Sequence, residues 1–529
     1  MFGYDMYTWI SIFITVALAG FTAIYLYCTK NDNYWKKRGV PYVPRNNIIK
    51  IIRLLNSKPI NEIMKQDIGK YERAIGSFEF TTPSFVLTEP DLLRDVLVKD
   101  FHKFHDRRDV NLGNGDSILL HMVTNLKGED WKRVRTIITP AFTSKRMRTM
   151  GSIINECSKS VTDVLEKTAK EDKPIECKGL FGAFAMDVIA RAAFGTQIDS
   201  HNDSENIFVK YAKENFISPS MIKLLLFMIF PVKMLVKLKL IKIGGEDFFK
   251  NVITQVVKKR KETGKRYNDI LQVLMDVCDE NEHLLNSEIA EDETDRYGSI
   301  MDSKDKKTPS SLKYKKLSEI ELLAQCVLFF VVGYETTAST LAFMAYALAM
   351  NPEWQEKLIE EVDKAFEKHG EMSHDTVREM KVLEAVVSET LRMYPVAIVL
   401  VRTANEDYEL GNTGIVIEKG MAVTIPVYGM HYDPEFFEDP ETFNPNRFMD
   451  PSEMKHPQYA YLPFGAGPRN CLGMRFALLE MKVCMANILR HFRFRRHPKT
   501  QVPLKYKLRS ALLSTDGMHL AVEKRTDVK

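Results

Sequence analysis

Apolar residues recur mostly at helical spacing along this chain. Periodic stretches at Leu92–Val98, Trp131–Phe142, Ile153–Leu165, Phe184–Phe194 and Phe248–Val257 each predict a helix with one buried face. The longest pattern runs from Ser318 to Met350. Ser318 with Glu321 three residues later reads as a capping box, and Asn351-Pro352 stops the helix. Strand-like runs are few and short: Ser84–Leu87, Ile415–Ile417 and Ala422–Pro426. No internal repeat is present. The pattern predicts a mainly α fold with a small β region.

The N-terminus differs. Met6 to Cys28 gives 23 mostly apolar positions without a charged side chain. As a helix they span roughly 34 Å, enough for a bilayer core. Asp5 precedes the run, and Lys30, Lys36, Lys37 and Arg38 follow it. The positive-inside rule places that basic side, and everything after it, in the cytosol. Trp9, Tyr25, Tyr27 and Trp35 suit the two membrane interfaces. A cleaved signal peptide fits less well, because the run is long, lacks a basic start and has no small-residue cleavage site after it. Pro41 and Pro44 stiffen the next stretch. The chain thus divides into a transmembrane anchor at 6–28, a basic and proline hinge at 30–45, and one body at 46–529.

Two segments stand apart within that body. Met221–Leu240 is apolar but carries Lys223, Lys233, Lys237 and Lys239. It suits either a membrane interface or two ordinary amphipathic helices. Glu280–Lys316 is rich in Glu, Asp, Ser and Lys and reads as a solvated loop.

Composition narrows the function classes. Of 529 residues, 45% are hydrophobic and 27% charged, and the net charge is +4. That balance is globular and gives no reason to expect nucleic acid. Seven scattered cysteines, none in a C-x-x-C pair, form neither a disulfide framework nor a zinc site. A reducing compartment suits them.

The most specific chemistry lies in Phe464-Gly465-Ala466-Gly467-Pro468-Arg469-Asn470-Cys471-Leu472-Gly473. An apolar helical pattern begins just after Cys471, at Leu472 to Ile488. A helix N-terminus there would favour a thiolate, the form that ligates a metal. Gly465 and Gly467 permit a tight loop, Gly473 lets the helix start approach a flat ring, and Arg469 offers a fork donor to a carboxylate. A lone cysteine in a glycine-rich turn is usually structural. The five defined positions of F-x-x-G-x-R-x-C-x-G, however, recur by chance in roughly 2 of 10,000 chains of this length, so the motif outweighs that reading.

This loop resembles the cysteine signature of the cytochromes P450, and the resemblance extends over essentially the whole chain. It is similar to the microsomal animal family 3 group, which includes thromboxane synthase. The resemblance implies the haem-thiolate fold behind a single N-terminal transmembrane helix. Cys471 would then be the axial ligand of haem (iron protoporphyrin IX), with Phe464 and Gly473 beside the ring. Trp131 and Arg135 match the family's W-x-x-x-R and, with Arg402 and Arg469, look like haem-propionate donors. Arg107 matches less well. Val332-Gly333-Tyr334-Glu335-Thr336-Thr337 matches the motif in which Thr336 positions dioxygen and Glu335 helps deliver protons. The plain alternative is a threonine bonding back to the previous turn. Val332 departs from the family, which has Ala or Gly there. Glu389, Arg392 and Arg447 resemble its buried ion triad. Val396, Ala397, Val399, Leu400, Phe329 and Phe330 would line an apolar cavity for a lipophilic small molecule.

The implied activity is a monooxygenase on the cytosolic face of the endoplasmic reticulum. Electrons would come from NADPH-cytochrome P450 reductase, with cytochrome b5 as a further partner, because the chain has no dinucleotide-binding loop of its own. Lys132, Arg133, Lys145, Arg146 and Arg148 would form the docking face. One rival is a reductase-independent haem-thiolate isomerase of lipid peroxides, whose members generally lack the Glu335–Thr336 pair. The other is a non-enzymatic haem sensor or electron carrier.

Overall fold

A computed structural model describes residues 6–44, 48–79, 81–108, 117–198, 246–278 and 316–528, with scattered positions between 200 and 238. The segments Met221–Leu240 and Glu280–Lys316 lie outside the described residues, apart from isolated positions. Helices dominate. Those that position the site are α1 (Met6–Thr29), α2 (Tyr34–Arg38), α3 (Gly128–Ile138), α4 (Ser144–Lys170), α5 (Cys177–Phe194), α6 (Glu319–Met350), α7 (Lys381–Met393) and α8 (Met474–His491). The described strands form three small sheets. The largest orders β1 (Ala74–Glu79), β2 (Thr82–Leu87), β7 (Ala422–Ile425) and β4 (Leu400–Thr403), with β2 and β7 parallel and the other pairs antiparallel. The second orders β3 (Ile175–Glu176), β9 (His519–Lys524) and β8 (Phe492–Arg495), and the third pairs β5 (Tyr408–Glu409) with β6 (Val416–Ile417). The three expected strand runs fall in β2, β6 and β7.

Two described helices are long and apolar enough to cross a membrane: α1, which buries nothing, and α6, which is mostly buried. Along α1 the hydroxyls of Thr15, Thr22 and Thr29 donate to the Ser11, Leu18 and Tyr25 carbonyls at 2.8, 2.8 and 2.9 Å. The helix thereby satisfies these three hydroxyl donors, as an apolar solvent would require. Trp35, expected at the membrane interface, is instead fully buried in the body. Its indole N–H donates to the Ser77 carbonyl at 2.8 Å, and its ring fills the slot left by the missing side chain of Gly76. The Gly76 amide donates to Pro41 at 2.8 Å, and Val43 donates to Gly76 at 2.9 Å. The hinge is therefore docked along β1. A slot that matches the indole and accepts its N–H holds tryptophan more firmly than a headgroup region does.

α6 forms the spine. Its N-terminus carries the capping box: the Glu321 amide donates to Ser318 Oγ at 3.3 Å, and the Ser318 amide donates back to Glu321 Oε2 at 2.8 Å. α5 crosses α6 closely because glycines face the contact. A Cβ at Gly333 would overlap Ile189, and one at Gly182 would lie 3.0 Å from the Tyr334 hydroxyl.

α8 packs between α4 and α6 and carries a buried acid. Glu480 has no exposed surface, and Thr337 of α6 donates to its Oε2 at 3.4 Å. Among the described residues Oε1 has no partner. Burial pushes the carboxyl well above its ordinary pKa, against the opposing pull of Thr337. The folded protein therefore keeps this acid neutral, while the unfolded chain ionises it above about pH 4.3. The unfolded state then binds fewer protons, so stability falls as pH rises through that window. Glu480→Met, which keeps the volume, removes the effect. Its stability relative to wild type is expected to increase with pH by up to about 1.4 kcal/mol per pH unit, and the gain should vanish near pH 4. Thermal unfolding at pH 5, 6.5 and 8 checks this. A pH-independent difference would mean that Glu480 is charged when folded.

Candidate functional site

The cysteine loop is held by its own backbone. Gly465 and Gly467 adopt φ values of +73° and +71°, which only glycine takes without strain. A side chain on Gly467 would collide with the Leu97 carbonyl, in a π-helical turn at Asp95–Lys99. The Cys471 amide donates to the Phe464 carbonyl at 2.9 Å, and Gly465 donates to Leu462 at 3.1 Å. α8 begins at Met474 with Gly473 as its N-cap, slightly later than expected. A Cβ on Gly473 would meet only a Phe142 ring carbon, at 3.9 Å. Packing within the protein does not demand glycine there, whereas a flat ligand lying against the loop does.

Helix-terminus stabilisation of the Cys471 thiolate was expected. The net shift is the reverse: burial pushes the thiol up, while the Gly473 amide, Arg135 and Arg107 pull it down. Desolvation outweighs the dipole, so the sulfur would ionise on binding a metal cation, which deprotonates a coordinating thiol.

Arginines converge beside the loop. Burial lowers Arg135 to about 10 and Arg402 and Arg469 each to about 9, with neighbouring guanidinium groups adding to each shift. All remain charged at neutral pH. Arg107, the weaker match in sequence, belongs to the same group: its Nη2 donates to the Arg469 carbonyl at 3.3 Å, and burial lowers it too. Arg135 Nη2 donates to Asn470 Oδ1 at 2.9 Å. Arg469 donates to the Val123 and Leu126 carbonyls and sits 4.4 Å over the Trp131 ring. Its nearest carboxylate is Asp106, at 3.8 Å. The buried Nε atoms of Arg402 and Arg469 have no partner among the described residues. Buried, mutually repelling cations with orphaned donors call for an anionic ligand.

The α6 residues divide between two faces. Thr336 is half-buried and donates its hydroxyl to the Val332 carbonyl at 2.8 Å. This is the back-bonded geometry, and it leaves the oxygen lone pairs available as acceptors. Val332 is 40% exposed. Glu335 is buried against a cation. Lys178 Nζ lies 2.5 Å from its Oε1 and 3.0 Å from Ser514 Oγ. Adjacent helical residues point about 100° apart, so the acid reaches Lys178 at the start of α5 while the threonine lies on the more open side with Val332. Phe330 and Val396 are buried, with Phe330 stacked on Phe194 at 4.2 Å. Phe329, Ala397, Val399 and Leu400 are half-buried.

A cysteine loop, a glycine-backed face and an arginine cluster with orphaned donors together describe a cradle for a flat dianionic metal complex. The family model for cytochrome P450 matches residues 41–522. The chain belongs to the cytochrome P450 family. It is 34% identical over 528 residues to mouse (Mus musculus) cytochrome P450 3A11, covering 98% of this chain and 97% of the relative. It is 34% identical over 531 residues to rat (Rattus norvegicus) cytochrome P450 3A9, covering 99% and 98%. It is 32% identical over 525 residues to human (Homo sapiens) cytochrome P450 3A5, covering 98% and 97%. This P450 is thus a haem-dependent monooxygenase, an oxidoreductase that uses molecular oxygen. The residues fit haem: Cys471 would hold the iron, and the orphaned arginine donors suit two propionates.

The P450 core is closed by the Glu389–Arg392–Arg447 group. Arg392 Nε and Nη2 donate to the two Glu389 oxygens, each at 2.8 Å, with both residues fully buried. Arg447 Nε lies 3.5 Å from Glu389 Oε1. The basic face is less open than its sequence suggests. Arg133 pairs with Glu321 and Asp130, Arg148 lies 3.5 Å from Asp375, and Arg146 donates to Asn268. Sequence reading missed Lys178 as the partner of Glu335 and Ser514 as the second partner of Lys178, and it underweighted Arg107. No local motif marks the first two.

Proposed function

We propose that this P450 inserts one oxygen atom into a lipophilic substrate, taking electrons from NADPH-cytochrome P450 reductase, with cytochrome b5 as a second donor. Residues 6–28 anchor it in the endoplasmic reticulum membrane, 30–45 form the hinge, and 46–529 form the cytosolic catalytic domain. Haem, when bound, supplies the iron at which dioxygen is reduced and split. Cys471 would hold the iron, and Trp131, Arg135, Arg402 and Arg469 would seat the propionates, with Phe464 and Gly473 against the ring. The carrying observation is the accessible Thr336 hydroxyl, tethered to Val332 and one residue from the Glu335–Lys178 pair. Its lone pairs could hold a water on the open side of α6, and Glu335, ion-paired to Lys178 on the adjoining face, could relay protons only through such a water. A peroxide isomerase has no use for such a proton route, so the monooxygenase reading is favoured over that alternative.

The test is coupling. Thr336→Ala is expected to keep its haem spectrum and NADPH consumption but to form less product and more peroxide. Losing a hydrogen-bond partner costs about 1–3 kcal/mol where a bound haem and substrate would exclude water, roughly 5- to 150-fold in rate. Val332→Ala, which opens the groove, controls for crowding. Unchanged product per NADPH after Thr336→Ala in both backgrounds would leave the hydroxyl a purely structural back-bond. Turnover of a lipid peroxide without reductase would favour the isomerase.

A further inference from the structure

His431 closes the short helix Val427–His431 and has no exposed surface. Its ring touches two pieces of backbone. The Leu462 amide lies 3.0 Å from Nε2, and Nδ1 lies 3.0 Å from the Arg392 carbonyl. An amide N–H can only donate and a carbonyl can only accept. Nε2 must therefore carry the lone pair and Nδ1 the proton, so a single neutral tautomer satisfies both sides. Burial, reinforced by the Arg392 charge, lowers the imidazole pKa to about 3, which keeps it neutral. The contact with Arg392 is reciprocal, since Arg392 Nη1 donates to the His431 carbonyl at 2.9 Å.

What lies on either side gives the ring its meaning. Arg392 is half of the buried pair with Glu389. Leu462 opens the cysteine loop: its carbonyl accepts from Gly465 at 3.1 Å, and the Phe464 carbonyl accepts from the Cys471 amide at 2.9 Å. Tyr461 stacks on the imidazole with centroids 5.3 Å apart and donates its hydroxyl to the Ser388 carbonyl of α7 at 2.9 Å. Hydrogen bonds joined by short stretches of backbone therefore lead from the Glu389–Arg392 pair through His431 and Leu462 to the Cys471 amide.

We propose that His431 is a positioning residue whose neutral imidazole transmits the order of the Glu389–Arg392 pair to the Cys471 loop and so holds the thiolate in ligating position. The proposal rests on the reading of Cys471 as the haem ligand. The role needs a group that donates at one end and accepts at the other across the width of a ring. Glutamine has both functions and nearly the length, asparagine reaches only one side, and leucine has neither function.

The experiment compares His431→Gln, His431→Asn and His431→Leu in the full-length holoprotein. It reads the thiolate absorbance band of the reduced carbon monoxide complex, the rate at which that band is lost on mild heating, and global unfolding by circular dichroism. Glutamine is expected to stay within about threefold of wild type in that rate. Asparagine and leucine are expected to lose the band at least tenfold faster, at temperatures where circular dichroism is unchanged. If leucine does not fold, asparagine against glutamine carries the comparison. Band loss that merely follows global unfolding, or a glutamine variant as labile as asparagine, overturns the role. A wild type without any thiolate band would sink the ligand reading and the positioning role together, whereas a stable band in every variant sinks only the positioning role.

Discussion

Replacing Cys471 with histidine is expected to abolish the thiolate absorbance band of the reduced carbon monoxide complex and to reduce turnover to background. The loop itself should survive, because its geometry lies in the backbone. The Cys471 amide, not its side chain, bonds Phe464, and Gly465 and Gly467 set the turn. The arginines are untouched, so haem should still bind and the haem-to-protein ratio should remain above about half. What disappears is an anionic sulfur able to push electron density toward iron, which a neutral imidazole does not replace. Desolvation raises the buried thiol against the pull of the Gly473 amide, Arg135 and Arg107, and a bound metal would ionise it. A variant that keeps the thiolate band would place the ligand elsewhere and remove the basis of the proposed function.

Arg392→Leu is expected to prevent stable haem incorporation although Arg392 bonds none of Arg107, Arg135, Arg402 and Arg469. The variant leaves Glu389 buried without its bidentate partner and frees the His431 carbonyl, while Asn444 still donates to Glu389 at 2.9 Å. Breaking one side of a buried pair costs about 3–5 kcal/mol, a large share of the ~5–15 kcal/mol that stabilises a domain. Arg392→Lys should recover little, since a single ammonium cannot span two carboxylate oxygens and a carbonyl. Arg447→Ala should be much milder, because its Nε lies 3.5 Å from Glu389 and its side chain is partly solvated. Glu389→Leu combined with Arg392→Met should be more stable than Arg392→Leu, because no unpaired charge remains. Thermal midpoints and haem per polypeptide order the series. An Arg392→Leu protein with wild-type haem content would show that the pair does not organise the core.

The sequence by itself determined whatever rests on short-range chemistry. The capping box joins residues three apart, and the Glu389–Arg392 pair joins neighbours on one helical face. The glycines and cysteine of the loop are consecutive, and the charge-free run of α1 is visible as composition. Such features need only local backbone geometry, which residue order dictates. Only the tertiary structure decided the rest. Glu335 meets Lys178 across 157 positions, Arg107 meets Arg469 across 362, and Trp35 meets Ser77 across 42. His431 joins Arg392 to Leu462 across 39 and 31 positions. The physical reason is common to all of them. Hydrophobicity is non-directional and says that a residue will be buried, whereas its partner depends on which helices cross, and that depends on contacts distributed over the whole core.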